Sequence, residues 1–160
     1  MHICEACSKR GTTCCEKNRD ILLTEADKIR IQKHFGTNDF WEFRPPVSPE
    51  YLEQDDDPNW LGYILKTDGT RLVMKLSNLG NCTLLTSTGC PLPLNIRPLV
   101  CRLHPYCFTE TELQNIESEC PKDLYTSDED LSLQLGMDKN LAESWRVQLY
   151  KELRQQNGLE

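Results

Sequence analysis

Nine cysteines, at Cys4, Cys7, Cys14, Cys15, Cys82, Cys90, Cys101, Cys107 and Cys120, are the residues of this chain best suited to chemistry. Four fall within the first fifteen positions and five between 82 and 120, with none in the 66 residues between. A chain using cysteine only as a small apolar filler would not bunch it this way. Three chemistries use such a pattern: disulfide cross-links, metal thiolates, and a redox or nucleophilic centre. Disulfides belong to oxidising compartments and to chains that open with a basic and then an apolar leader. This sequence opens Met1-His2-Ile3-Cys4 with no apolar run before the first cysteine, and an odd number of thiols would leave one over. A nucleophilic cysteine needs a base such as histidine within hydrogen-bond reach, and only His2, His34 and His104 are present. A thioredoxin-like C-x-x-C follows a strand in a βαβ unit, a place Cys4 does not hold.

Metal thiolates fit better. Cys4-Glu5-Ala6-Cys7 is a C-x-x-C unit, which curls so that two sulfurs reach one ion at about 2.3 Å for zinc. Gly11 lets the backbone turn back toward Cys14, and the cations Lys9 and Arg10 favour ionised thiols. A lone C-x-x-C is a weak signal; C-x2-C-x6-C-C with a second cysteine group downstream is stronger. Neighbouring side chains of an extended segment point opposite ways, so Cys14 and Cys15 either serve different ions or one of them packs. Arg97 and Arg102 either offset the charge of an anionic tetrathiolate or pair with surface carboxylates. Cys101-x2-His104-x2-Cys107 offers an imidazole between two thiols, so His104 is either a ligand or a filler with its N–H satisfied. Zinc and iron are not separated by spacing. Cys90-Pro91 and Cys120-Pro121 echo the Cys-Pro of ferredoxins, while the remaining spacings match no ferredoxin. At least one site is expected to draw ligands from both cysteine groups, because the first has few neighbours of its own to pack against.

The elements that must position these sulfurs follow from local pattern. Asp20 to Leu23 reads as a short buried strand or extended entry. Thr24 with Asp27 three residues on reads as a helix start, Gly36 as its stop, and Ala26, Ile29, Ile31 and Phe35 as its apolar face. Residues 37 to 60 read as a wet connection, and the run Asp55-Asp56-Asp57 lacks the alternation of a calcium loop. Asp68-Gly69 between Tyr63–Lys66 and Leu72–Leu76 predicts a β-hairpin delivering the chain to Cys82. Five prolines between Cys82 and Pro121 forbid a long regular element there, and Thr111–Ile116 reads as a hairpin or a short helix. Ser127 caps a short helix with Asp130 at its third position. Asn140 caps a C-terminal helix carrying Leu141, Trp145, Leu149 and Leu153, with Gly158 as its stop.

At 160 residues the chain has room for one domain, or one domain with a helical appendage. Its net charge of −7 disfavours nucleic acid as a partner, since displacing counterions from phosphates needs a basic face. No stretch of 18 apolar residues is present, so no membrane span is expected. No Gly-rich phosphate loop, nucleophile elbow or internal repeat occurs, and no catalytic residue is assigned.

The order of these features resembles the YkgJ-type cysteine-cluster family, described as zinc- or iron-chelating. The resemblance begins at Cys4-x2-Cys7-x6-Cys14-Cys15 and runs through Ile21–Ala26, Gly80–Leu85, Gly89–Leu92 and Arg97–Tyr106. It ends near Glu119-Cys120-Pro121. It implies Cys4, Cys7, Cys14, Cys15, Cys82, Cys90, Cys101 and Cys120 as metal ligands. The sequence departs from the family at His104, where an aromatic is usual, at the extra Cys107, and in the interval between Cys7 and Cys14. Larger members are associated with flagellin lysine methylation, but no methyl-donor pocket is identifiable here. The expectation is a small, loop-rich α+β domain with short β-hairpins, one helix in the N-terminal half and a C-terminal helix. Residues 1–125 form the cysteine-cluster domain and residues 126–160 a helical appendage packed on it. The expected function is cytoplasmic chelation of zinc or iron, the metal being mainly structural and an unidentified protein the partner. The alternative is an iron–sulfur redox protein or an accessory subunit of a modifying enzyme.

Overall fold

The computed structural model describes residues 3–10, 14 and 19–160, so that His2, Gly11 and Cys15 lie outside the described residues. It is a small α+β fold. The helices are α1 (Ile3–Ser8), α2 (Glu25–Phe35), α3 (Trp60–Ile64), α4 (Leu99–Leu103), α5 (Asp128–Gln134) and α6 (Lys139–Gln156). The strands β1 (Trp41–Arg44), β2 (Arg71–Met74), β3 (Tyr106–Phe108) and β4 (Leu113–Ile116) form two separate antiparallel pairs, β1 with β2 and β3 with β4.

Helix α2 starts and stops as its sequence dictates. The Asp27 N–H donates to Thr24 Oγ1 (2.9 Å) and the Thr24 N–H to Asp27 Oδ2 (3.1 Å), a reciprocal cap that satisfies two otherwise orphaned donors. Gly36, at φ 70°, turns left-handed so that its N–H reaches the Gln32 carbonyl. The expected apolar face is corrected: Ile31 is buried, but Ile29 is 48% and Phe35 40% exposed. The inward side of α2 is partly polar, because buried Asp27 receives the Leu99 N–H and Arg30 binds α6.

The hairpin around Asp68-Gly69 is also corrected. Its turn exists, with the Lys66 N–H donating to the Thr70 carbonyl and Gly69 at φ 82°, but the arm before it is helical. Helical spacing lets Trp60 and Tyr63 both reach Tyr150 on α6, at ring separations of 5.8 and 6.4 Å, which strand alternation would prevent. β2 pairs instead with β1, which lies inside the stretch expected to be a wet loop; the 3₁₀ turn Pro49–Leu52 lies there too. All four β2 residues are buried, and its other edge is covered by the extended segment at Ile21–Leu23. There the Met74 N–H donates to the Ile21 carbonyl and the Leu23 N–H to the Leu72 carbonyl.

The proline-rich middle holds only short elements, the five-residue α4 and the β3–β4 pair, which resolves Thr111–Ile116 as part of a hairpin. Ser127 caps α5 through the Asp130 N–H, as its sequence predicts. Asp138, not Asn140, caps α6: its carboxylate accepts the Leu141 N–H at 2.9 Å, so the helix begins one residue before Asn140. Trp145, Leu149 and Leu153 are buried as their spacing requires, but Leu141, in the first turn, is 37% exposed and is not part of the buried stripe.

Two apolar clusters result. The larger joins Ile3, Ile64, Leu99 and Leu103 to Leu131 and the inward face of α6, and the smaller gathers Ile21, Leu23, Ile31, Phe40, Leu72 and Met74 with Cys82. Val100 on α4 packs against both. No helix among the described residues is long and apolar enough to cross a membrane.

Candidate metal centre

Cys4 and Cys7 stand one turn apart on α1, so their side chains project to the same side. The α1 helix lies beside the second cysteine group. A Cβ built on Gly89 would come 3.8 Å from the Cys4 carbonyl oxygen and 4.0 Å from Ser8 Oγ. Gly89 itself, at φ 102°, closes a tight turn with Thr86 immediately before Cys90. Cys82 is buried where the chain bridges back to Leu76, and Cys101 sits in the first turn of α4, its N–H donating to the Pro98 carbonyl. Cys120 packs, like Cys4, against the larger apolar cluster, whereas Cys82, Cys90 and Cys101 belong to the smaller one.

The electrostatics divide the sulfurs in the same way. Burial pushes the Cys4 thiol up to about 11; Cys14, Cys120 and Cys7 add to the shift and Arg97 opposes it. Burial likewise pushes Cys82 up to about 11, with Cys90 and Cys14 adding and the Leu84 and Leu85 N–H groups opposing. Cys101 lies well above the ordinary thiol range, through burial and then the proximity of Cys82, Cys14 and Cys90. One neighbourhood therefore contains Cys4, Cys7, Cys14 and Cys120, and a second contains Cys82, Cys90, Cys101 and again Cys14. Cys15 lies outside the described residues. Among the described residues no three His, Cys, Asp or Glu side chains are grouped closely enough to hold a metal ion as they stand.

The donor chemistry nonetheless suits zinc or iron, because each neighbourhood offers several sulfurs. The backbone N–H groups of Leu84 and Leu85 point at the Cys82 sulfur, the kind of outer contact that supports a bound thiolate. Of the two arginines, Arg97 acts on Cys4 from a position fixed by its bond to the Leu92 carbonyl (2.9 Å). Arg102 is buried over Trp145 and donates to the carbonyls of Arg97 and Asn95, bracing the loop before α4.

Lys9 and Arg10 differ from expectation. Lys9 pairs with Glu5 and Arg10 with Asp123, so carboxylates claim both cations. His104 is half-buried, and burial, followed by the nearby Arg19 charge, lowers its pKa. Cys107 stands apart, raised by burial and by Glu117 and Asp56. A feature that sequence reasoning missed is that Asp57, placed in a wet acidic run, is buried against Tyr150. The signal for it is Trp60 three residues on, which draws the end of the run inward with its ring. No family model, curated protein or solved structure matches this chain.

Proposed function

We propose that this protein chelates zinc or iron through Cys4, Cys7, Cys14, Cys15, Cys82, Cys90, Cys101 and Cys120, and that the metal is mainly structural. The observation carrying this reading is the meeting of the first cysteine group with the second: Cys14 acts on Cys4, Cys82 and Cys101, and Cys120 acts on Cys4. Residues more than a hundred positions apart share a thiol neighbourhood that burial alone disfavours ionising. A metal supplies the countercharge that lets buried thiols lose their protons. The adjacent Cys14 and Cys15 suit a division in which each serves one of two four-sulfur sites, the first with Cys4, Cys7 and Cys120 and the second with Cys82, Cys90 and Cys101. The resemblance to the YkgJ-type family is the sequence side of the same reading.

Such ligation requires reduced sulfur, which favours the cytoplasm. The protein's own groups would bind the ion, orient the sulfurs through the Leu84 and Leu85 N–H groups, and balance charge through Arg97. Elemental and sulfide analysis of anaerobically purified protein tests the reading. Zinc without visible absorption marks tetrathiolate sites, and iron with acid-labile sulfide marks a cluster. Cys7→Ser should lower metal content and thermal stability together. Protein that holds no metal after anaerobic purification and metal addition would overturn it.

A further inference from the structure

Helix α4 begins without a cap of its own. Pro98 precedes it, and no side chain at that position bonds to the first turn. The first N–H groups of a helix have no partner within it, and an unpaired buried donor costs free energy. Leu99, the first residue of α4, is fully buried, so its N–H is closed off from water. The acceptor comes from 72 positions earlier in the chain: both Asp27 carboxylate oxygens face the Leu99 N–H, at 3.3 and 3.4 Å.

Asp27 is itself fixed from several sides. The Thr24 N–H donates to Oδ2 at 3.1 Å, and the Arg30 guanidinium pairs with Oδ1. Arg30 supplies the countercharge that a fully buried carboxylate requires, and is held in turn by Glu152 of α6. Cys101 stands in the same turn of α4 as Leu99, its N–H on the Pro98 carbonyl at 2.9 Å. The loop that joins Cys90 to α4 is closed by its own arginines: Arg97 donates to the Leu92 carbonyl, and Arg102 to those of Asn95 and Arg97. The loop therefore has its shape set internally, and its end is pinned on Asp27. After burial and the sulfurs of Cys82, Cys14 and Cys90, the Asp27 charge also acts on Cys101, and its sign raises the thiol pKa. Asp27 does not help this thiol to ionise; what it contributes is position.

We propose that Asp27 is a positioning residue for Cys101: by holding the start of α4 it fixes where that sulfur stands relative to Cys82 and Cys90. The inference rests on the metal reading for its consequence, that the second four-sulfur site weakens when the Leu99 N–H is released.

Cobalt(II) titration of the full-length, reduced protein, read by thiolate-to-metal absorption, tests it in the wild type, Asp27→Asn and Thr24→Val. Asp27→Asn puts a donor in place of one acceptor oxygen, so Thr24, Arg30 and Leu99 are no longer all served. One cobalt site should lose about tenfold in affinity, with altered absorption, while the other is unchanged. Thr24→Val removes the α2 cap and the bond to Glu152 but leaves the carboxylate on Leu99. It should lower the melting temperature with both cobalt affinities kept. Hydrogen exchange on the wild type needs no variant to fold: the Leu99 amide should be protected, although the first amides of a helix lack partners within it. A Leu99 amide that exchanges like an exposed one overturns the proposal, as do unchanged cobalt affinities in Asp27→Asn. Thr24→Val weakening the same site equally also overturns it, marking a general loss of stability. A wild type that takes up no cobalt overturns the metal reading and this role with it, so cobalt uptake by the unsubstituted protein tells the two failures apart.

Discussion

Arg30 on α2 and Glu152 on α6 form a two-point pair, Nη1 to Oε2 at 2.8 Å and Nη2 to Oε1 at 2.9 Å, across 122 positions of sequence. Glu152 also accepts the Thr24 hydroxyl (2.7 Å) and the Gln148 amide (2.8 Å), so the cap of one helix is bonded to the flank of another. Burial works against the Glu152 charge, but these hydrogen bonds together outweigh it and hold its pKa below the usual glutamate range. Glu152→Ala should destabilise the fold by about 2 kcal/mol, between the values for exposed and buried pairs, since Arg30 keeps Asp27 as a partner. Urea unfolding measures this, and combining it with Arg30→Ala should cost less than the sum of the two single changes. Strict additivity would mean that the pair is not coupled.

Glu110 predicts the response to acid. Burial would raise its pKa, but hydrogen bonds from Tyr63, Asn59 and Arg154 together place it below the usual glutamate value. A folded value below the unfolded one means stability that is complete above the unfolded pKa and lost as pH falls through the folded one. Thermal melts should therefore fall with acid from about pH 5 downward. Glu110→Gln should flatten that slope while lowering the melting temperature at neutral pH. An unchanged slope would locate the acid response elsewhere.

Serine substitutions sort the cysteines. Cys82→Ser and Cys120→Ser should each reduce bound metal, because each thiol lies in one of the two sulfur neighbourhoods. Cys107→Ser should leave metal content unchanged, since Glu117 and Asp56 surround it. Metal loss from Cys107→Ser equal to that from Cys82→Ser would refute the division.

Gly89→Ala probes the turn that presents Cys90. A Cβ there would have space, its nearest neighbour being the Cys4 carbonyl oxygen at 3.8 Å, so the penalty is one of backbone conformation at φ 102°. A loss of about 1–2 kcal/mol is expected, the cost of holding an L-residue at positive φ. A weakened metal affinity should accompany it, which competition with a chromophoric chelator would read.

What was legible in the sequence is what short-range chemistry decides. Thr24 with Asp27, and Ser127 with Asp130, are caps because a side-chain oxygen three residues before an orphaned backbone N–H can satisfy it locally. The stripe of Trp145, Leu149 and Leu153 was legible for the same reason: one face of one long helix. The pairing of β2 was not legible. The Asp-Gly turn forms as its residues demand, yet the arm before it is helical because Trp60 and Tyr63 find aromatic partners on α6 more than eighty residues later. The partner strand, Trp41-Glu42-Phe43-Arg44, does alternate apolar and charged residues, but over only four positions amid a polar, proline-containing stretch, and its place is set by the buried edge that β2 offers. Nor was it legible which segments approach one another: Gly89 comes beside the Cys4 carbonyl of α1, a contact between distant parts of the chain.

Helix α6 follows every cysteine in the chain, yet it supplies Leu149 and Leu153 to the cluster that also holds Ile3, Leu99 and Leu103. During synthesis all nine sulfurs leave the ribosome before the surface that shelters part of them exists. If the thiols hold a metal as proposed, the ion is captured before the interior closes, and the last helix docks onto a frame that the ion has already drawn together.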